Sequence, residues 1–351
     1  MRILFATYSL AFQTPGGGEK VLRALRGELR GAGYEVDLFD PWLHDPASYS
    51  LIHYFSCLET SHWEMFRRAA PDAPLVVTPT LRLDSREHGP RGQLRRKLSR
   101  RLDPFSRYRP FAFPQLWLPS TDEEAEALVQ GREVPRERVK VLPNGISRQF
   151  FDADPAPFRA RFPEPFVLLV GRFHPVKNQL RLIRALGDQD LRCVFIGQAD
   201  LGESDYYAAC RSAATVASRA RFDFLGSLGE DDPLLASAYA AASVLTVPSE
   251  FETFGLAALE GAAAGARSLV LTRNLGARRE LESRGVTVRW IDPGDERQLR
   301  DEILAGLAAG VIPAPEPARK LRELGWDGIA RTLVESYRQV QAGRPADHRK
   351  R

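Results

Sequence analysis

The chain has 351 residues, 44% of them apolar and 27% charged, with a net charge of +4, so it is neither a disordered nor a fibrous chain, and its partners cannot be read from net charge. The length leaves room for two domains of about 150 residues, each with a full core. Cys57, Cys193 and Cys210 lie far apart with no C-x-x-C spacing, which argues against a disulfide framework or a zinc site and suits a reducing cytoplasm.

Arg2–Ser9 reads as a first strand rather than a secretory signal, since it lacks the longer apolar run and the small-residue cleavage site. The glycine-rich turn Thr14–Glu19 follows, then a helix over Glu19–Arg30 with Val21, Leu22, Leu25 and Leu29 at helical spacing. Strands are expected at Glu35–Phe39, Leu75–Thr78 and Leu116–Pro119, a helix at Asp122–Gln130 capped by Thr121 or Asp122, and a strand at Val139–Leu142. Asp152–Pro165, rich in proline, alanine and charge, reads as a linker, so residues 1–150 form one domain and 151–165 join it to the next.

The pattern restarts at Phe166–Val170, an apolar run of the kind buried on both faces of a parallel sheet. Helix Asn178–Leu186 and strands Arg192–Ile196, Phe222–Leu225 and Ser243–Val247 follow within a second domain over 166–325. A last helix, Trp326–Gln341, carries Trp326, Ile329, Leu333, Tyr337 and Val340 on one face, and the basic tail 343–351 is expected to be disordered. Alternating strands and helices predict an α/β chain of two doubly wound, Rossmann-like domains, with ligands bound beyond the carboxyl ends of the strands in the cleft between them. No apolar stretch approaches the ~20 residues that a bilayer span needs.

Three segments carry chemistry. In Pro248–Ala266 a strand runs into a loop and then into a helix of alanine, glycine and leucine, with Glu260 as the one charge in its middle. A lone buried carboxylate costs several kcal/mol unless it is paired or hydrogen-bonded, and a pair of ligand hydroxyls would satisfy it. The alternative is an ordinary ion pair with a distant arginine. Glu252 lies in the loop just ahead, at the mouth of the cleft, and the N–H groups of Phe254, Gly255 and Leu256 form an anion site at the helix start.

The second segment, Phe166–Asn178, ends a buried strand at Gly171 and places Arg172 and Lys177 in the loop beyond it. A planar guanidinium and a compact ammonium suit a diphosphate. Two ordinary surface charges are the bland alternative. The third segment is the turn holding Gly16, Gly17 and Gly18, where glycine allows close approach to a ligand, although such turns are common and Glu19 is explicable as a complement to the helix dipole.

With these segments in view, the sequence resembles the retaining glycosyltransferases of family 4, which have the GT-B fold, over nearly its whole length. Glu252 and Glu260, with seven residues between them, match that family's glutamate pair, and G-R-F-H-P-V-K-N matches its G-R-x-x-x-x-K-N. L-P-N-G-I at Leu142–Ile146, the glycine-rich turn, and G-W-D-G-I-A-R-T-L-V-E-S-Y in the last helix complete the match, and the family's last helix crosses back to the N-terminal domain.

The resemblance implies that Arg172 and Lys177 bind the diphosphate of a nucleotide-sugar donor, Glu260 holds the ribose hydroxyls and Glu252 contacts the sugar. Phe254, Gly255 and Leu256, with Gly171, Gly197, Leu225 and Asn144, fall on the donor side; Gly16, Gly17, Gly18 and Thr80 fall on the acceptor and sugar side. It further implies front-face transfer with no metal or other cofactor, to a glycan, lipid-linked or other acceptor in the synthesis of surface polysaccharide or glycoconjugate. One departure stands out: many members carry a histidine near the sugar's 6-hydroxyl where this chain has Thr80, which suggests a 6-deoxy sugar or a pentose.

Other signals are weaker. Asp188-Gln189-Asp190 forms a D-x-D, but after a helix and before a strand it falls on the side of the sheet away from ligands. His44, His53, His62, His88, His174 and His348 show no metal-ligand spacing. Arg82–Arg109 holds ten basic residues against three acids, and its 91–109 part suits peripheral contact with an anionic membrane or a merely solvated face; no nucleic acid is expected. Competing readings are a nucleotide-sugar epimerase on the same scaffold, a non-catalytic binding module, and an NAD-dependent oxidoreductase. The last is disfavoured because T-P-G-G-G-E is not G-x-G-x-x-G and Asp37 and Asp40 are poor ribose ligands.

Overall fold

A computed structural model describes residues 1–13, 16–57, 59–80, 109–309 and 320–342. The chain divides into two compact units, one of residues 1–145 with the chain from Trp326 onward, the other of Ile146–Gly325.

The first unit is built on a five-stranded sheet: β1 (Arg2–Thr7), β2 (Glu35–Leu38), β3 (Leu51–Phe55), β4 (Leu75–Thr78) and β5 (Leu116–Trp117). Its order is β2-β1-β3-β4-β5, with all pairings parallel. The direction of sheet growth reverses between β1 and β3, which is where such sheets hold ligands. The glycine-rich turn follows β1, and helix Gly17–Gly31 begins within it. This helix buries Val21, Leu22, Leu25 and Leu29, the stripe expected from their spacing.

The second unit has six parallel strands: β6 (Phe166–Val170), β7 (Arg192–Ile196), β8 (Arg221–Phe224), β9 (Val244–Val247), β10 (Leu269–Thr272) and β11 (Arg289–Ile291). Read from one edge, the order is β8-β7-β6-β9-β10-β11, the 3-2-1-4-5-6 arrangement of dinucleotide-binding sheets, with its switch point between β6 and β9. β6 is fully apolar, and only its last residue is less than buried. The two α/β, Rossmann-like units are therefore as the alternating pattern predicts, although β3, β10 and β11 are strands beyond those expected above.

Several local expectations are corrected. Residues 151–165 do not form a free linker. Helix Ala156–Arg161 lies within them, and Phe158 and Phe162 are buried against Phe166 at the start of β6. Proline and charge suggested a linker, but two phenylalanines give the segment an apolar anchor. Val139–Leu142 is not a ladder strand; it makes a single bridge, Val139 to Trp117. Helix Asp122–Gln130 is α-helical only to Glu126, then continues as a π-turn over Ala127–Gly131. Thr121 is its N-cap and accepts from the Glu124 N–H at 3.1 Å. The basic segment 91–109 lies outside the described residues except for Arg109, and the tail 343–351 lies wholly outside them.

The C-terminal helix, Trp326–Ala342, belongs to the first unit. Its buried Tyr337 hydroxyl meets Nδ1 of His53 on β3 at 2.5 Å, and Nε2 of that histidine meets the Thr78 hydroxyl at 2.9 Å. Where the helix begins, the Trp326 indole lies over Gly145, whose missing Cβ would fall 2.4 Å from the ring. The glycine of L-P-N-G-I thus makes room for a tryptophan 181 positions later in the chain. Among the described residues, no helix is long and apolar enough to cross a membrane.

Candidate functional site

The loops after β6 and β9 leave from the switch point of the six-stranded sheet, and they carry most of the residues singled out above. After β6 the chain passes Gly171 and Arg172, makes a short turn at Pro175–Lys177, and enters helix Gln179–Leu186. Asn178, at the junction, has φ +58°, a left-handed conformation that asparagine tolerates better than most residues. Its side-chain amide donates to the Pro248 carbonyl at 2.9 Å, and the Glu250 N–H donates to the Val176 carbonyl at 2.8 Å. The two loops are thereby stitched together.

That stitching brings Lys177 onto Glu252. Its Nζ lies 2.6 and 2.8 Å from the two carboxylate oxygens, and the Ser249 hydroxyl donates to Oε1 at 2.6 Å. Glu252 is 9% exposed and Ser249 1%, so this carboxylate is a held, nearly buried group. Arg172, the other candidate cation, pairs with Asp200 at 2.7 Å. His174 caps the turn by accepting from the Val176 N–H at 3.1 Å, and its Nε2 lies 3.6 Å from Glu203.

The loop after β9 is pinned on its far side by the segment after β10. The Glu252 N–H donates to Asn274, Gly276 donates to the Glu252 carbonyl, and Ala277 donates to the Phe254 carbonyl at 2.8 Å. A Cβ on Gly276 would stand 1.9 Å from the Thr253 carbonyl oxygen, so glycine alone lets the strands of this clasp meet. Gly276→Ala should therefore cost about 1–3 kcal/mol by pushing the Glu252 loop outward. Thermal melting checks this, and an unchanged midpoint would show that the clasp yields freely.

Helix Leu256–Ala264 begins at Gly255, which has φ +92° and makes no side-chain cap. The Ala258 N–H closes the first turn on the Gly255 carbonyl at 3.0 Å, and the N–H groups ahead of it are beyond the reach of the helix's own ladder. Gly255 is required twice over: its φ is left-handed, and a Cβ there would meet Leu275 at 2.2 Å. Gly261, on the buried side of this helix, leaves no room for a Cβ against Leu245 and stands against the Tyr239 ring, so the helix packs as closely as its composition suggests. Glu260 is 4% exposed. It has a protein partner that its neighbours in sequence do not reveal: the Tyr239 hydroxyl, on helix Pro233–Ala241, donates to Oε2 at 3.2 Å. Burial, then the charge of Glu260, holds that phenol well above its usual range, so it stays protonated.

The remaining candidates divide by unit. Gly197 follows β7, and a Cβ there would lie 2.0 Å from the Gly171 carbonyl oxygen, so glycine at 197 lets the ends of β6 and β7 close on each other. Leu225 follows β8 and is half-buried. Asn144 belongs to the first unit. Gly16 caps helix Gly17–Gly31, with its N–H donating to Glu19 at 2.7 Å; the other Glu19 oxygen accepts from the Tyr8 hydroxyl, so Glu19 closes the turn instead of only complementing a dipole. Gly18 approaches Thr80, with a Cβ position 3.8 Å from that hydroxyl. Ser56, at the end of β3 beside the first unit's switch point, has φ +108°, a strained value for a non-glycine residue that no local sequence signal announces. Among the described residues, no group of three or more acids, histidines or cysteines is placed to hold a metal ion.

Similarity to known proteins agrees with this geometry. Residues 151–321 match the family model described as glycosyl transferases group 1. The chain is 32% identical over 254 residues to the D-inositol 3-phosphate glycosyltransferase of Thermomonospora curvata, covering 62% of this chain and 55% of that protein. It is 29% identical over 249 residues to the protein of the same name from Thermobispora bispora, covering 63% and 55%. The chain thus spans little more than half the length of the curated relatives it matches. Among solved structures, sucrose-phosphate synthase from Thermosynechococcus elongatus superposes with a TM-score of 0.75 at 20% identity, over 98% of this chain and 100% of that one. Anabaena HepE in complex with UDP-glucose gives 0.72 at 21%, over 97% and 100%. These likenesses establish the GT-B fold.

Proposed function

We propose that this chain, whose residues 151–321 match the model of the glycosyl transferases group 1 family, is a retaining glycosyltransferase that takes its sugar from a nucleoside diphosphate donor. The observation that carries the reading is the convergence of Arg172, Lys177, Glu252 and the start of the Glu260 helix at the switch point of one sheet. These are binding groups for a diphosphate, a ribose and a sugar, without the paired acid and base that an epimerase needs. The structural neighbours support the donor class, since HepE was solved with UDP-glucose.

In this reading Arg172, Lys177 and the helix N-terminus offset the charge that collects on the leaving diphosphate. Lys177 is already shared with Glu252, so the incoming phosphate competes with a carboxylate for the same ammonium. As the bond from the sugar's anomeric carbon to phosphate breaks, the acceptor oxygen bonds to that carbon on the same face. The acceptor's proton passes to the departing phosphate oxygen, and Glu252 stabilises the positive charge on the sugar between the two events. Gly16, Gly17, Gly18 and Thr80 of the first unit supply the acceptor side. The acceptor is a glycan, a lipid-linked sugar or, as the names of the inositol phosphate relatives suggest, a phosphorylated polyol, with a role in surface polysaccharide or glycoconjugate synthesis. Thr80 favours a donor lacking the 6-hydroxyl.

The test is a panel of UDP-, GDP-, ADP- and TDP-sugars, 6-deoxy donors and pentoses included, against these acceptors, with the product anomer read by NMR. Transfer with retention is expected, and it should persist in EDTA, because the cations at the site are the protein's own. An inverted product, or activity lost in EDTA and restored by manganese, overturns the mechanism. A clear preference for UDP-glucose removes the Thr80 argument alone.

A further inference from the structure

We propose that Tyr239 is a positioning residue for Glu260, fixing that carboxylate in the orientation in which it receives the hydroxyls of a nucleotide's ribose. The proposal rests on the ribose-binding reading of Glu260. Tyr239 sits on helix Pro233–Ala241, where seven consecutive residues, Leu235–Ala241, are buried. Apart from Ser237, whose hydroxyl accepts from the Phe158 N–H at 3.0 Å, its side chain is the only hydrogen-bonding one in that stretch. Its hydroxyl crosses to the next helix and donates to Oε2 of Glu260 at 3.2 Å.

The ring has no room to move. The Phe150 ring lies across it, with centroids 5.6 Å apart and planes at 78°, and Gly261 approaches on the side of the Glu260 helix, with its Cβ position 3.2 Å from Tyr239 Cδ1. A fully buried ring held on two sides gives its hydroxyl one direction. A carboxylate on a helix has three side-chain torsions, and most of its rotamers point away from any one ligand. A fixed donor on one carboxylate oxygen selects among those rotamers before the nucleotide arrives, which lowers the ordering cost of binding. Ribose is unchanged by the reaction, so the benefit falls on nucleotide affinity and not on turnover.

The experiment is calorimetry on wild type, Tyr239→Phe and Glu260→Gln. The ligands are the nucleoside diphosphate of the donor used best in the panel above and its 2′,3′-dideoxy analogue. Tyr239→Phe keeps the ring and its packing, and a thermal melt confirms the fold. It should weaken binding of the natural diphosphate about five- to ten-fold, on the scale of one hydrogen bond to a charged group. It should leave binding of the dideoxy analogue unchanged and kcat within two-fold. Equal loss on both nucleotides, or no loss on either while Glu260→Gln weakens the natural one, overturns the positioning role. If Glu260→Gln leaves natural diphosphate binding intact, the ribose reading itself falls, and the proposal with it.

Discussion

Glu252→Gln should lower turnover roughly a hundred- to a thousand-fold without weakening the binding of the bare nucleoside diphosphate. Glu252 is assigned to the charge that develops on the sugar, which exists only near the transition state, so its loss appears in the rate. The ion pair with Lys177 adds a second expectation that the sequence did not contain. Glu252 holds that ammonium by both oxygens at 2.6 and 2.8 Å, and in the resting site it competes with phosphate for it. Removing the carboxylate charge frees Lys177, so affinity for the diphosphate should stay level or rise by a few-fold. Lys177→Met should do the reverse, weakening the diphosphate about ten-fold through loss of one charged contact. Steady-state rates beside calorimetry with the bare diphosphate separate the two. A Glu252→Gln enzyme that turns over at the wild-type rate, or that loses the diphosphate, would mean that the carboxylate serves only to hold Lys177.

What was legible in the sequence was what periodicity and local chemistry control. β4, β6 and β7 appear at the bounds that their apolar runs mark, Leu75–Thr78, Phe166–Val170 and Arg192–Ile196, because a strand buried on both faces has almost no polar interruption. Small residues around Glu260 correctly implied a closely packed helix, since Gly261 cannot carry even a methyl group against Leu245. What was not legible depends on pairings between distant residues. Lys177 and Glu252 are 75 positions apart, and each alone reads as an ordinary charge. Tyr239 lies in a helix with no amphipathic pattern to give it a direction, so Glu260 appeared to lack a protein partner. Strand order could not be read either: β9 lies beside β6 although β7 and β8 separate them in the chain. The supposed linker misled for a related reason. Proline and charge describe a segment's backbone and surface, whereas two buried phenylalanines decide where it packs.

Acid should selectively weaken the first unit through His53. This imidazole is fully buried on β3 between the Thr78 and Tyr337 hydroxyls and stacked on Phe55, and burial depresses its pKa from 6.5 to about 3. Its two hydroxyl partners can each donate or accept, so the neutral ring is satisfied, whereas an imidazolium would be a charge without a counter-charge in contact. In the unfolded chain the same histidine takes up a proton below pH 6.5. The unfolded state therefore binds more protons than the folded one between pH 6.5 and about 3. Stability from neutral His53 is complete above that window and is lost as pH falls through it, by up to about 1.4 kcal/mol for each pH unit. Carboxylates titrate over part of the same range, so the contribution must be read as a difference between two proteins. His53→Gln keeps a group that both donates and accepts but cannot take up a proton. At pH 7 it should be the less stable protein by about 1–3 kcal/mol, from imperfect packing and a disturbed contact with the C-terminal helix. At pH 4.5, two units below the unfolded histidine's pKa, wild type should have lost roughly 3 kcal/mol that the variant keeps, so the gap closes or reverses. Urea titrations followed by fluorescence of Trp63 and Trp117, both buried in this unit, measure the gap at each pH. A gap of the same size at pH 7 and pH 4.5 would show that His53 takes up its proton without unfolding, and that the tie between β3 and the C-terminal helix tolerates a charge.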